Sequence, residues 1–370
     1  MNASIKARLA KLNKVRKSVY AEVTPSTKLC TVNVHKIQDK MTCDRMYFWK
    51  WVLNLVPKRM SLPFWFGTVM HRGNEELAFD KKPGSNACVK KMEKIMRAES
   101  KSIISKYSLE AEVNEEVEVQ LEIAVLMMKV YVELYKDAFK DFKTTKTEIA
   151  FRKPLKKSPV IFLGRLDAIG TYLGMPAIKE YKTASRVNNE YFQRLLFDKQ
   201  LNGYAIGHKK ITGEYPQVCP YTVFHKPAIK VRQNESVPEF LMRLEEDLHL
   251  RQDWYYIKQD VRFKKKAIRA TQEDIEWAVF DLYAKYGFLS KEQVLNPFNW
   301  PRNDAACFNY GICPYFFLCK NCDMYKLYLS LYQMREIRYD EENEELDKKF
   351  SIPVSKISTV EFEQSSEENQ

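Results

Sequence analysis

Two groups of side chains in this sequence have the types and spacing to do chemistry. The first lies in the stretch IFLGRLDAIGTYLGMPAIKEYKTAS, with Asp167 on one short apolar run and Glu180 and Lys182 on the next. Residues two apart on a strand face the same way, so Glu180 and Lys182 share a face, and antiparallel pairing of the two runs brings Asp167 across to them. Hard oxygen donors of this kind suit Mg²⁺ or Mn²⁺, which orients an attacking water, lowers its pKa and neutralises charge on a phosphoryl group in transfer. Lys182 would hold the hydroxide or stabilise that charge. An isolated Glu-x-Lys is usually an exposed ion pair, so the triplet takes its meaning from its neighbours. His71, near the start of a helix, offers an imidazole to the same cation, and Gln200 and Tyr204, four apart, project from one face of another helix.

The second group is CFNYGICPYFFLCKNC, which places Cys307, Cys313, Cys319 and Cys322 within sixteen residues. That density points to thiolate ligation, for which Zn²⁺ and an iron-sulfur cluster are the alternatives. The spacing is not the paired C-x2-C of a zinc ribbon. Cys30, Cys88 and Cys219 read as ordinary buried thiols. The surrounding aromatics, including Phe308, Tyr310, Tyr315, Phe316 and Phe317, serve equally as a shield for a cluster or as a hydrophobic core.

The elements that must position these groups follow from periodicity. Residues 1 to 36 form a basic arm. Residues 37 to 87 read as helices carrying Cys43 and His71, the first running from residue 37 to 56 and stopped by Pro57. Residues 88 to 143 form a helical insertion rich in good helix formers. From 144 to 295 the pattern becomes a core of short strands at 147–152, 160–169 and 177–181, helix from 187 to 207, a strand at 220–225, and helices at 237–258 and 271–286. The cysteine segment spans 296 to 332, and residues 333 to 370 have the acidic, Ser/Glu-rich composition of a disordered tail.

The 370 residues are 45% hydrophobic and 13% aromatic, enough to bury one large core or two modest ones. The formal charge is +12; residues 340 to 370 carry ten Asp or Glu against three Lys, which leaves +19 on the rest. A body of that sign favours polyanions, nucleic acid above all, and Lys264-Lys265-Lys266 and the N-terminal arm are candidates for phosphate contacts. No base-reading motif is present, which favours recognition of shape or ends over a cognate sequence. Nor is there an apolar run of membrane-spanning length or an export signal, so the expected location is the cytoplasm, where the eight cysteines would stay reduced.

Gly67-Thr68-Val69-Met70-His71, Gly164-Arg165-Leu166-Asp167, Glu180-Tyr181-Lys182 and Gln200 with Tyr204 resemble the successive motifs of the RecB-like branch of the PD-(D/E)XK nucleases, over about residues 37 to 325. The resemblance implies an α/β fold of restriction-endonuclease type, a mixed central sheet flanked by helices, with a helical insertion. It implies that His71, Asp167, Glu180 and the backbone carbonyl of Tyr181 bind Mg²⁺ or Mn²⁺, that Lys182 assists the attacking water, and that Gln200 and Tyr204 complete the catalytic surroundings. AddB and the CRISPR-adaptation relatives place one cluster cysteine far upstream and three near the C-terminus, and Cys43 occupies the matching upstream place. The implied ligands of a 4Fe-4S iron-sulfur cluster are therefore Cys43, Cys307, Cys313 and Cys319, with Cys322 as a substitute for the fourth. The C-x5-C-x5-C spacing departs from the C-x2-C-x5-C of those relatives, which leaves iron against zinc open. The implied activity is metal-dependent DNA cleavage, as an exonuclease in recombination, repair or replication, with a helicase or recombination protein as partner. The competing reading is a non-catalytic DNA-binding accessory protein that keeps the nuclease fold.

Overall fold

The computed structural model describes residues 31–335, save 60, 81, 106–110, 137, 138, 140 and 310. Most of the basic arm, Cys30, Tyr310 and nearly all of the acidic tail lie outside the described residues.

A mixed sheet forms the centre. Its strands are β1 (Thr31–Val32), β3 (Phe142–Pro154), β4 (Ile161–Tyr172), β5 (Met175–Ala184), β6 (Val218–His225) and β7 (Tyr256–Arg262), and a short β2 (Leu55–Pro57) pairs apart from it with β8 (Tyr332–Met334). The order is β1-β4-β5-β6-β7, with β3 also on β4; β3–β4, β4–β5 and β6–β7 are antiparallel, and β5–β6 and β1–β4 are parallel. A tight turn at Leu173 and Gly174, both with positive φ, reverses β4 into β5. The parallel β5–β6 pair requires a crossover, supplied by α6 (Asn189–Leu195) and α7 (Lys199–Thr212).

Both faces of the sheet are covered, which is why β6 reads VCPYTVFH with almost every side chain buried. On one face, α3 (Leu62–Phe79), α4 (Asn86–Ile104), α5 (Ala111–Tyr135) and α8 (Val237–Leu250) bury Trp65, Met70, Met92, Met128 and Leu244 against Tyr181, Phe224 and Tyr256. On the other, α1 (Val34–Thr42), α7 and α10 (Lys265–Tyr286) bury Val34, Leu201, Ala205 and Ile275 against Phe162, Leu166, Ile178 and Val223. Tyr221 and Val223 face one core and Phe224 the other, the alternation a strand imposes. Gly207 on α7 makes room for the Phe151 ring of β3: a Cβ there would come within 2.3 Å of it.

A third core joins the two ends of the described chain. α2 (Asp44–Tyr47) and the π-helical turn Phe48–Val52 bury Tyr47, Phe48, Trp49 and Trp51 against Leu282 and Tyr286 of α10 and against Trp300, Tyr315, Leu318 and Tyr325. The β2–β8 pairing closes this unit, with Leu55 opposite Met334.

The single helix expected over 37–56 is thus divided. Cys43, extended with φ −166°, ends α1 and opens α2, and Asn54 at φ 53° precedes a strand. The helix expected over 237–258 ends at Leu250; after the short α9 (Gln252–Tyr255), the chain becomes β7. As the edge strand of the sheet, β7 buries only its ends, Tyr256 and Val261, so little alternation marked it.

Candidate active site and thiol module

Asp167 and Glu180 sit where β4 and β5 part. Their register runs from Tyr172 opposite Met175 to Ala168 opposite Lys179 and stops, so Asp167 and Glu180 are the first residues past the last pair. β3 lines one edge of β4 throughout, and β1 takes the other edge farther along, at Ile161 and Phe162. The period of β4 also breaks here. Leu166 and Ile169, three apart, lie in the same core while Ala168 lies in another with Phe142, Ala177 and Val218. A regular strand cannot do this, so β4 changes its facing at Asp167.

From Glu180 a line of polar contacts runs into α7. Glu180 is 3% exposed; its Oε1 is 2.5 Å from Lys182 Nζ, and its Oε2 is buried with no hydrogen-bond partner. Lys182 Nζ donates to Gln200 Oε1 at 2.9 Å, and Gln200 Nε2 donates to the Tyr204 hydroxyl at 2.8 Å. Asp198 caps α7, accepting from Leu201 N at 2.7 Å, which fixes the turn that presents Gln200. The Tyr181 side chain turns to the opposite face against Phe224, with ring centroids 6.1 Å apart.

His71 arrives from α3. Gly67, one turn earlier, lets this helix press on β5: a Cβ there would lie 3.2 Å from Thr183 Oγ1. His71 Nδ1 lies 3.7 Å from Asp167 Oδ2. Glu148 of β3, which the motifs did not single out, completes a tight group. One ligand atom each from His71, Glu148 and Asp167 lies within 4.8 Å of the others, and among the described residues this is the group of three or more such side chains that meets that spacing. Thr147 faces Ala168 and Ile149 faces Leu166, which sets Glu148 across from Asp167. Its φ of 46° puts it in the left-handed region, unusual for a non-glycine residue in a strand. One signal pointed to it: FKTTKTEIAFRKP holds one acid among four bases.

Uncompensated negative charge dominates this place. Burial, then the neighbouring Glu180, push the Asp167 carboxyl well above its ordinary pKa, with Glu148 and Glu75 adding to the effect and Lys182 opposing it. Burial works against the Lys182 ammonium, but Glu180 and Asp167 outweigh it and hold its pKa above the usual lysine value. Burial, with Glu180 and Asp167 nearby, raises the Tyr204 phenol strongly, so it stays protonated. Glu148 is raised by burial and by Glu75. An orphaned buried carboxylate oxygen beside a carboxyl that resists ionisation is what a divalent cation would satisfy, and the O and N donors match Mg²⁺ or Mn²⁺.

The thiols occupy the edge of the third core. Cys43 Sγ accepts from Asn303 N at 3.3 Å, and Cys319 Sγ accepts from Trp49 Nε1 at 3.2 Å. Burial raises Cys313, with Cys307 and Cys43 near enough to add to it; burial raises Cys319 to about 11, with Cys313 and Cys43 contributing. Cys322 lies at 7% exposure in the same core against which Cys313 and Cys319 pack, and burial raises it, with Arg45, Asp323 and Arg302 as its charged neighbours. No three cysteine sulfurs among the described residues approach within 4.8 Å of one another. Four thiolates on one Zn²⁺, with Zn–S of about 2.3 Å, would stand about 3.8 Å apart. The flanks are also joined directly: Tyr286 Oη donates to Asp44 Oδ2 at 2.9 Å, Tyr315 Oη to Leu55 O at 2.8 Å, and Arg45 Nε to Trp300 O at 2.8 Å.

No helix among the described residues is long and apolar enough to cross a membrane. Among curated proteins, none matches the chain. The family model of the PD-(D/E)XK nuclease superfamily matches residues 31–320, a span that holds the whole six-stranded sheet and the splayed carboxylates. By that match, and with a mixed sheet flanked by helices, this chain belongs to the PD-(D/E)XK nuclease superfamily.

Proposed function

We propose that the protein is a Mg²⁺- or Mn²⁺-dependent nuclease that hydrolyses DNA phosphodiesters from an end, as an exonuclease of the RecB-like type. The observation that carries this reading is the partnerless, buried Oε2 of Glu180 beside Asp167, in a chain of this superfamily. In this reading Asp167, Glu180, His71 and the Tyr181 carbonyl hold the cation, which when bound supplies a polarised water and a counter-charge for the phosphoryl group. Lys182, kept protonated by Glu180 and held by Gln200, orients that water and faces the developing charge. Tyr204 fixes Gln200 and, as a neutral phenol, adds no charge. Exposed Lys264, Lys265 and Lys266 and the overall charge of +12 favour a polyanion as substrate.

The test is digestion of end-labelled single-strand, duplex and circular DNA with and without Mg²⁺ or Mn²⁺. Cleavage of linear but not circular DNA, lost in Asp167→Ala and Lys182→Ala, is expected. Undiminished cleavage by both variants would end the assignment.

We further propose that Cys43, Cys307, Cys313 and Cys319 hold a 4Fe-4S cluster that fastens the N- and C-terminal flanks. The N–H donors on Cys43 and Cys319 are the hydrogen bonds a ligating thiolate accepts, and the nearness of Cys307 and Cys43 to Cys313, and of Cys313 and Cys43 to Cys319, supports this set. Iron and acid-labile sulfide in anaerobically purified protein, lost in Cys313→Ala, are the expected result. Stoichiometric zinc without iron would overturn it.

A further inference from the structure

A cleft of about 400 Å³, distinct from the carboxylate site, is lined by the end of α3 and the first half of β3. Its lining combines apolar rings, Phe139 and Phe142, with Thr144, Thr147, Lys146 and Lys179. Register accounts for the polar part. Thr147 pairs with Ala168 and Ala168 with Lys179, so the three side chains share a face, and the small one in the middle leaves the outer two facing one space. A register shift between Thr144 and Lys146 lets consecutive residues of β3 reach the cleft. Lys179 is the group left without a counter-charge. Its Nζ lies 5.1–5.4 Å from the centroids of the Phe139, Phe142 and Tyr181 rings and forms no ion pair among the described residues. Burial lowers its pKa, and Tyr131, Cys219 and Asp141 offset this only in part. The same positive field reaches Lys258, which burial and Lys179 lower to about 8. The acid on the lining, Asp80, accepts from Lys82 N at 2.7 Å.

Resting on the nuclease reading, we propose that this cleft binds a free nucleoside monophosphate, the product an exonuclease releases, with its phosphate on Lys179 and the threonine hydroxyls and its base against Phe139 and Phe142. The ammonium and the hydroxyls are donors to phosphate oxygens, and the rings offer the flat apolar surface on which a base stacks. The volume suits a small molecule of that size. The cleft also borders the catalytic residues along the chain: Thr147 precedes Glu148, and Lys179 precedes Glu180. Alternation turns Lys179 to the Tyr181 ring and Glu180 to Lys182 on the other face, which keeps the two sites separate.

The test is calorimetry of deoxyadenosine 5′-monophosphate on the full-length protein in EDTA, so that no cation links the nucleotide to the carboxylate site. Wild type and Asp167→Ala are expected to bind it alike. Lys179→Gln should weaken binding by about tenfold to a hundredfold, the loss of a charge-assisted hydrogen bond, and Thr147→Val by about twofold to tenfold. Thermal melts check that both variants fold. Deoxyadenosine and inorganic phosphate should each bind about tenfold more weakly than the nucleotide. No binding at millimolar nucleotide, or equal binding by wild type, Lys179→Gln and Thr147→Val, overturns the proposal. So does inorganic phosphate binding as tightly as the nucleotide. Loss of binding in Asp167→Ala, with Lys179→Gln unaffected, would place the nucleotide in the carboxylate site and overturn it too. The nuclease reading survives each of these outcomes, and fails only if Asp167→Ala and Lys182→Ala cleave DNA as wild type does.

Discussion

The carboxylate site and the aromatic thiol module are both assembled from distant parts of the chain, but opposite forces hold them. In the module, Trp300 is 2% exposed and lies flat on Tyr286, with centroids 3.6 Å apart, and every backbone or hydroxyl group named above finds a partner. Packing and these hydrogen bonds hold it, so the flanks should stay docked on the sheet when Cys313 is replaced by Ala. In the carboxylate site the fold works against itself. Like charges are gathered at the end of a strand pairing, one buried oxygen has no partner, and one backbone sits in an unfavourable region. A place that lowers stability when empty is a place whose stability depends on what binds there.

The largest effect that sharpens this contrast is on catalysis. Lys182→Ala should reduce the rate of DNA cleavage by about 10²–10⁴-fold at saturating Mg²⁺, with the sheet still folded but the metal-free thermal midpoint lowered, because buried Glu180 loses its partner. A loss of activity matched by a loss of fold would merge the two regions' roles. Next comes Trp300→Ala, expected to cost about 3–5 kcal/mol in denaturant unfolding by emptying the centre of the module. Little change there would break the claim that packing holds the flanks.

Asp167→Asn should act in the reverse direction, making the metal-free protein more stable by about 0.5–2 kcal/mol while abolishing the midpoint increase that Mn²⁺ gives the wild type. The sign follows from the raised carboxyl. In the folded state Asp167 holds its proton above the ordinary value of 3.8, so between that value and the raised one the folded chain binds more protons than the unfolded chain. The contribution of this group to stability therefore falls as pH rises through that window, in the metal-free protein. Asp167→Asn should remove that part of the slope, and an unchanged slope in thermal melts across acid pH would refute it. The smallest effect is expected from Tyr204→Phe. It loses only the hydrogen bond to Gln200, worth about 0.5–1.5 kcal/mol, and should lower the cleavage rate a few-fold.

Much of the fold was legible where periodicity is strong. The long helices α4 and α5, the strands around Asp167 and Glu180, and β6 stand near where the pattern of apolar residues sets them. β7 was hidden because an edge strand buries too little to alternate, and α1 was read too long because its aromatic continuation follows helical spacing through the break at Cys43. Of the candidate site residues, the sequence brought forward those with a motif. Glu148 has none; its importance rests on a register with β4 and a positive φ that no local pattern encodes.

By itself, the sequence determined the residue chemistry: which carboxylates, amine, imidazole and thiols are present, at spacings that put Glu180 with Lys182 on one strand face and Gln200 with Tyr204 on one helix face. Those relations are local, fixed by the two-residue repeat of strands and the 3.6-residue repeat of helices. Only the tertiary structure decided that β4 and β5 part at Asp167 and Glu180, and that Glu148 reaches in from a third strand. The reason is that strand register and core packing are settled by contacts between segments far apart in the chain, whose competition no single segment records.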